Sequence, residues 1–83
     1  MNRTFDLDDR LIDFAVDVLK LIELLPASFA AKQLANQLHR SGTSPSLNYG
    51  EVQSAESLKD FIHKMAVCLK ELRETQNCLK IIY

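Results

Sequence analysis

The sequence predicts an all-α protein, a single small helical-bundle domain of 83 residues. Apolar residues recur at spacings of three and four in separate segments, which is the pattern of amphipathic helices. Pro26 separates the first segment from the second, and Ser57 precedes the third at a position that suits a helix cap. With 47% apolar and 25% charged residues, the composition is that of a folded globular chain and argues against disorder.

The first predicted helix covers about residues 6–25. Its early aspartates suit the positive end of a helix dipole, and Asp6 can supply the cap. Pro26 predicts the end of the helix, because a residue before proline is disfavoured in the helical conformation. The apolar face consists of Leu7, Leu11, Phe14 or Ala15, Val18, Ile22 and Leu25.

The second predicted helix covers about residues 28–52 and contains the segment R-S-G-T-S-P-S-L-N-Y-G-E at residues 40–51. Gly42 and Pro45 are residues at which helices commonly end or begin. Polar residues in this segment nevertheless recur at helical spacing, so we predict a helix with a kink near residues 42–45. The recurring residues, here called the polar stripe, are Arg40, Ser44, Asn48 and Glu51.

The third predicted helix covers about residues 56–82 and has the most regular pattern. A heptad row with alternating spacings of four and three predicts coiled-coil-like packing against neighbouring helices. The chain ends in I-I-Y, an apolar edge without a polar cap, which favours either further chain or packing on another subunit. The heptad row consists of Leu58, Ile62, Met65, Leu69, Leu72, Gln76 and Leu79.

Charge and cysteine content restrict the class of protein. A formal net charge of −1 does not favour nucleic-acid binding, which usually depends on a basic balance. We expect no signal peptide and no membrane span, because no apolar run approaches the length that either requires. Cys68 and Cys78 lie too far apart on one helix for a disulfide, which predicts free thiols and a cytoplasmic protein.

Catalytic and metal sites are not predicted. The acidic face of Asp9, Asp13 and Asp17 has the spacing of a solvated helix side, and the chain has no Glu-x-x-His pair of the di-iron type. The glycines form no phosphate-binding loop. A combination of Ser44, His63 and Glu51 is of a kind that arises by chance in most chains. We therefore expect no catalytic residue, no cofactor and no metal.

Three stretches of the sequence resemble the four-helix-bundle proteins encoded in intervening sequences of bacterial 23S ribosomal RNA genes. The family features are an R-S/A-G/A-x-S…N-x-x-E segment, then A-E-S…D-F…K, then L-K-E…E-T. The matching residues are Arg40, Ser41, Ser44, Asn48 and Glu51 in the first part, Ala55, Glu56, Ser57, Asp60, Phe61 and Lys64 in the second, and Leu69, Lys70, Glu71, Glu74 and Thr75 in the third.

The resemblance implies an up-and-down antiparallel four-helix-type bundle, of which this chain holds three helices, commonly assembled as a homopentameric ring. One branch of the family, the accessory protein of diversity-generating retroelements, engages a reverse transcriptase and nucleic acid. Pro45 stands where the family usually has an aliphatic residue, and Cys78 stands where a large aromatic is common.

The polar stripe is interpreted as a hydrogen-bonded network that fixes how the second and third helices pack. Asp60, Glu71 and Glu74 are its candidate partners on the third helix. The function we expect is a non-catalytic scaffold that assembles with itself and presents a surface to a protein partner. The alternative is a nucleic-acid-binding accessory protein associated with ribosomal RNA or a reverse transcriptase.

Overall fold

The computed structural model describes residues 6–83 and consists of three helices within that range. They are α1 (Leu7–Glu23), α2 (Phe29–Val52) and α3 (Leu58–Ile82). The described residues contain no β-strand. The predicted all-α class is therefore confirmed, and residues 1–5 of the predicted domain lie outside the described part of the chain.

Each helix begins at a polar side chain that accepts a hydrogen bond from the backbone three residues later. Asp6 accepts from the Asp9 N–H at 2.9 Å, Ser28 from Ala31 at 3.1 Å and Ser57 from Asp60 at 3.1 Å. Such caps satisfy backbone donors that the first helical turn leaves free. α1 ends three residues before Pro26, so the turn to α2 is short and forces the two helices to run antiparallel.

The segment from residue 40 to residue 51 lies within α2, which continues through Gly42 and Pro45. Proline cannot donate a backbone hydrogen bond to the preceding turn. Hydroxyl groups on either side of Pro45 donate to carbonyl oxygens of the same helix: Thr43 to His39 at 2.6 Å, Ser44 to Arg40 at 2.5 Å and Ser46 to Thr43 at 2.9 Å. The bend predicted near residues 42–45 stays a prediction, and the segment itself is helical.

α2 lies between the other two helices and is antiparallel to both. Cα atoms of α1 and of α3 come within 8 Å of α2, whereas within residues 6–83 α1 and α3 do not approach each other this closely. Val18, Leu38 and Cys78, one from each helix, form the buried centre. Leu38 is 0% exposed, so a single side chain of the middle helix joins both interfaces.

The face of α3 that packs on α2 coincides with the predicted heptad row only in part, since Leu79 of that row packs against the buried centre. Cys68, Thr75 and Cys78 are the buried residues of α3, whereas Leu58 and Ile62 of the heptad row are 74% and 58% exposed. At about 100° per residue the two sets lie on neighbouring faces of the helix. The row from Ile62 to Leu72 therefore borders a space beside α2 that α1 and α3 leave open.

Candidate functional site

The contact between α2 and α3 is held on one side by an ion-pair cluster. Arg40 Nη1 donates to Glu71 Oε2 at 3.0 Å, and Arg40 Nη2 donates to Glu74 Oε2 at 2.7 Å. The hydrogen bond with Glu74 and the charges of both glutamates raise the pKa of Arg40 above its ordinary value. Glu71 and Glu74 are the partners that the sequence suggests for Arg40, and their contact links the two helices.

A second polar contact between these helices is buried, and the sequence pattern does not indicate it. Ser41 and Thr75 are both 0% exposed. The two hydroxyl oxygens lie 2.9 Å apart, and Thr75 Oγ1 lies 3.0 Å from the carbonyl oxygen of Glu71. Both residues occur in the family motifs, but nothing in a single sequence separates them from the exposed polar residues beside them.

Removing the Thr75 hydroxyl is expected to destabilise the fold. Thr75→Val keeps the side-chain shape and leaves Ser41 buried without its partner, which costs about 1–3 kcal/mol of the free energy of unfolding. Urea denaturation followed by circular dichroism measures this loss. Adding Ser41→Ala to Thr75→Val should recover part of it, because both polar groups are then gone. A stability of Thr75→Val within about 0.5 kcal/mol of the wild type would contradict the role assigned to this pair.

The remaining residues of the polar stripe do not form one network. The Ser44 hydroxyl donates to the Arg40 carbonyl within its own helix. Asn48 and Glu51 border a small cleft of about 200 Å³ with His63, Lys64 and Val67 of α3. The structure thus brings Glu51 and His63 to one cleft but leaves Ser44 outside it, and Ser44, His63 and Glu51 make no catalytic chain within the described residues.

Asp60 does not join the polar stripe. Its carboxylate pairs with Lys64 at 3.1 Å and accepts a hydrogen bond from the backbone N–H of Glu56 at 3.3 Å. These hydrogen bonds, that of Lys64 first, lower the pKa of Asp60 below its ordinary value. A lowered folded-state pKa favours folding above the ordinary pKa, and the contribution disappears as the pH falls through the folded-state value. Asp60 therefore stabilises the start of α3.

An exposed apolar groove runs between α1 and α3 over one side of α2. Its first part, a hollow of about 380 Å³, is lined mainly by aliphatic side chains of α1 and α3 with Tyr49 of α2 in between. A second hollow of about 460 Å³ continues it toward the C-terminal end of α3. The aliphatic lining of the first part comprises Leu7, Leu11, Ile62, Met65, Leu69 and Leu72.

The groove holds little that could perform acid–base or nucleophilic chemistry. Cys68 is its one thiol, and burial raises the pKa of that thiol, which lowers the fraction of reactive thiolate. The Cys68 sulfur faces the carbonyl oxygen of Pro45 at 3.8 Å. Among the described residues, no three His, Cys, Asp or Glu side chains come together in a way that could hold a metal ion. The groove is suited to bind an apolar surface.

The geometry defines a small antiparallel helical-bundle protein with an open apolar groove. A model of the 23S rRNA-intervening sequence protein family matches residues 4–83, and the chain therefore belongs to that family. The resemblance found in the second and third helices is thus confirmed, and the match extends over α1. Comparisons with curated proteins and with solved structures gave no match.

Within residues 6–83, none of the helices combines the length and the hydropathy that spanning a bilayer requires.

Proposed function

We propose that the protein is a non-catalytic scaffold that assembles with itself through the apolar groove. The observation that supports this proposal is the exposure of the α3 row: Leu58, Ile62 and Leu69 are 74%, 58% and 48% exposed. Contiguous apolar surface of this kind is rare on soluble monomers and marks sites of association. Burying it in contact with other copies removes it from water, which is the main driving force for association.

The number of copies and the cellular compartment follow as further parts of the proposal. The family resemblance leads us to expect five copies in a ring. Both cysteines are free and buried, which supports the reducing environment of a bacterial cytoplasm. Such an assembly would present the same outer surface several times to a protein partner.

The test is the mass of the protein in solution. Sedimentation or light scattering at micromolar concentration should give a multiple of the monomer mass for the wild type. Leu69→Glu introduces a charge into the groove and should give a monomer, because an unpaired carboxylate is costly to bury. Leu47→Glu is the matched control: Leu47 is 73% exposed on the opposite side of α2, and its variant should assemble as the wild type does.

Circular dichroism of the two glutamate variants would check that both remain helical. A wild-type protein that is monomeric over this concentration range would overturn the proposal. Assembly that persists in Leu69→Glu but is lost in Leu47→Glu would show that copies meet through another surface.

A second candidate function is nucleic-acid binding, and one observation favours it. Four bases of α3 are exposed, and none of them forms an ion pair with any described residue: Lys59, Lys70, Arg73 and Lys80. Binding to phosphates would depend steeply on salt, because it releases counterions. A fluorescence-anisotropy titration with labelled RNA and DNA at low and at physiological salt tests nucleic-acid binding. The absence of binding at low salt would overturn this candidate function.

We favour the scaffold because the other side of the same groove is acidic. Asp13 and Asp17 are exposed on α1 beside Phe14, and the chain as a whole has a net charge of −1. A phosphate backbone lying along the bases of α3 would therefore approach carboxylates across the groove. Such repulsion weakens any binding that depends on phosphate neutralisation.

A further inference from the structure

The residues that match the first part of the family motif fall into two groups. Arg40 and Ser41 contact α3, and the Ser44 hydroxyl donates to a carbonyl oxygen of its own helix. Asn48 and Glu51 make no side-chain hydrogen bond and no ion pair with any residue from 6 to 83. The packing of the helices therefore accounts for the first three residues but not for Asn48 and Glu51.

Asn48 and Glu51 line one cleft of about 200 Å³ between α2 and α3, together with His63, Lys64 and Val67. The cleft is smaller than the pockets of about 300–1,000 Å³ that enclose drug-sized ligands, so it suits a single side chain. None of its lining residues also lines the apolar groove. A surface that covers the groove therefore need not cover the cleft.

The polar groups of the cleft favour a ligand that is positively charged and donates hydrogen bonds. The Glu51 carboxylate can only accept, and the Asn48 amide oxygen and one ring nitrogen of neutral His63 can accept as well. Lys64 already pairs with Asp60 at 3.1 Å, so its charge is partly neutralised. An anion would instead be repelled by Glu51, which has no compensating base among the described residues.

The C-terminal end of α2 favours a cation for a separate reason. The last turn of a helix carries partial negative charge, which nearby cations stabilise and carboxylates destabilise. α1 and α3 have Lys20 and Lys80 in their last turns. The last turn of α2 contains no base, and Glu51 lies one residue before the helix ends at Val52. A bound cation would offset both the helix dipole and the carboxylate.

We propose that this cleft binds the guanidinium group of an arginine side chain of the protein partner. The planar fork of a guanidinium can donate to both oxygens of the Glu51 carboxylate, and Asn48 and His63 can accept from its remaining N–H groups. An ammonium group is a point charge without this fork, which favours arginine over lysine. Val67 is 36% exposed and offers apolar surface to the aliphatic stem.

This inference rests on the part of the proposed function that gives the scaffold a protein partner, and it names the side chain that the partner supplies. It does not depend on how copies of the chain assemble, because the cleft and the groove have separate linings. An exposed ion pair contributes little by itself, so the cleft selects the orientation of the partner more than it supplies affinity.

A titration of isotopically labelled protein with Nα-acetyl-arginine methylamide, followed by amide NMR spectra, tests the proposal. The side-chain amide signal of Asn48 and the backbone amide signals of Glu51 and His63 should shift and reach saturation. The matched compound is the citrulline analogue, which has the same length and shape without the charge. It should cause no saturable shift, because the carboxylate then has no opposite charge to pair with.

Two variants separate a binding role from a structural one. Glu51→Gln should raise the Kd for the arginine compound about fivefold, the upper end of what an exposed ion pair supplies. It should also raise the thermal midpoint of the free protein, because it removes a carboxylate from the negative end of α2. Asn48→Ala should raise the Kd about threefold, as expected for one hydrogen bond, without lowering the thermal midpoint.

Glu23→Gln is the matched control for Glu51→Gln. Glu23 is exposed in the last turn of α1, at the opposite end of the bundle. The substitution removes the same charge from the end of another helix and should leave the Kd unchanged. An equal rise in Kd for both glutamine variants would overturn the proposal, because the effect would then come from net charge and not from the cleft.

The remaining outcomes identify which part of the proposal is wrong. Equal shifts with the citrulline analogue, or shifts of the same signals with inorganic phosphate, would overturn a site for cations. Tighter binding of spermidine than of the arginine compound would overturn the assignment to a protein side chain. A wild-type protein that is monomeric overturns self-assembly but not this inference, because the titration requires only the folded chain.

Discussion

Leu38→Ala is expected to lower the free energy of unfolding by about 2–5 kcal/mol, the largest loss that a single truncation in this chain should cause. Leu38 is 0% exposed and packs with Val18 of α1 and Cys78 of α3. Truncation therefore opens a cavity where both helix interfaces meet. Because small domains have little stability in excess, we expect this variant to be partly unfolded at moderate temperature.

The matched control for Leu38→Ala is Leu47→Ala in the same helix. Leu47 is 73% exposed, so its truncation should change stability by no more than about 0.5 kcal/mol. Urea denaturation of both variants at equal protein concentration measures the difference, because assembly couples stability to concentration. Equal midpoints for the two variants would show that Leu38 does not join the three helices in solution.

Hydrophobic periodicity predicts the helices but not which apolar row packs within the chain. In α1 the predicted apolar face is also the face that packs within the chain, since Leu11 and Val18 belong to it and are buried. In α3 only part of the predicted row packs within the chain: Ile62 and Leu69 border the groove, while Thr75 and Cys78 contact α2. Periodicity shows which residues must be buried, but it does not show whether the surface that buries them belongs to the same chain.

The polar contacts show a similar limit. The sequence suggests that Arg40 meets Glu71 and Glu74, because these two glutamates lie one turn apart on the same face of the third helix. The sequence does not identify the Ser41–Thr75 pair, because serine and threonine also occur on exposed sides of helices and their presence does not indicate burial. Asn48, which belongs to the predicted stripe, makes no side-chain hydrogen bond with a described residue and borders a small cleft. Burial of polar groups depends on the register between helices, which one sequence does not contain.

Gly42 illustrates why local rules fail inside a bundle. Local rules place a helix end at Gly42 and a new turn at Pro45, yet both lie inside α2 and both are buried. Glycine in a helix costs about 1 kcal/mol relative to alanine. The cost is offset here by close packing, because a Cβ at Gly42 would approach Val18 Cγ1 to 2.7 Å. The glycine lets α1 lie directly against α2.

Gly42→Ala is therefore expected to destabilise the protein although alanine favours helix formation. Overpacking of a well-packed interface costs about 1–3 kcal/mol, which exceeds the gain in helix propensity of about 1 kcal/mol over most of this range. The measurement is the thermal or urea midpoint followed by circular dichroism. Gly50→Ala is the matched control, since nothing lies within 4 Å of a Cβ there, and it should raise stability by about 0.5–1 kcal/mol.

A loss of stability in Gly42→Ala together with a gain in Gly50→Ala would separate the effect of packing from the effect of helix propensity. If the loss at Gly42 comes from Val18, then Val18→Ala in the same chain removes the obstructing methyl groups. The double variant Gly42→Ala/Val18→Ala should accordingly lose less than the sum of the two single losses, by about 0.5–3 kcal/mol. Strict additivity would mean that the new methyl group does not meet Val18, and α1 would then have to lie farther from α2 than the described contact allows.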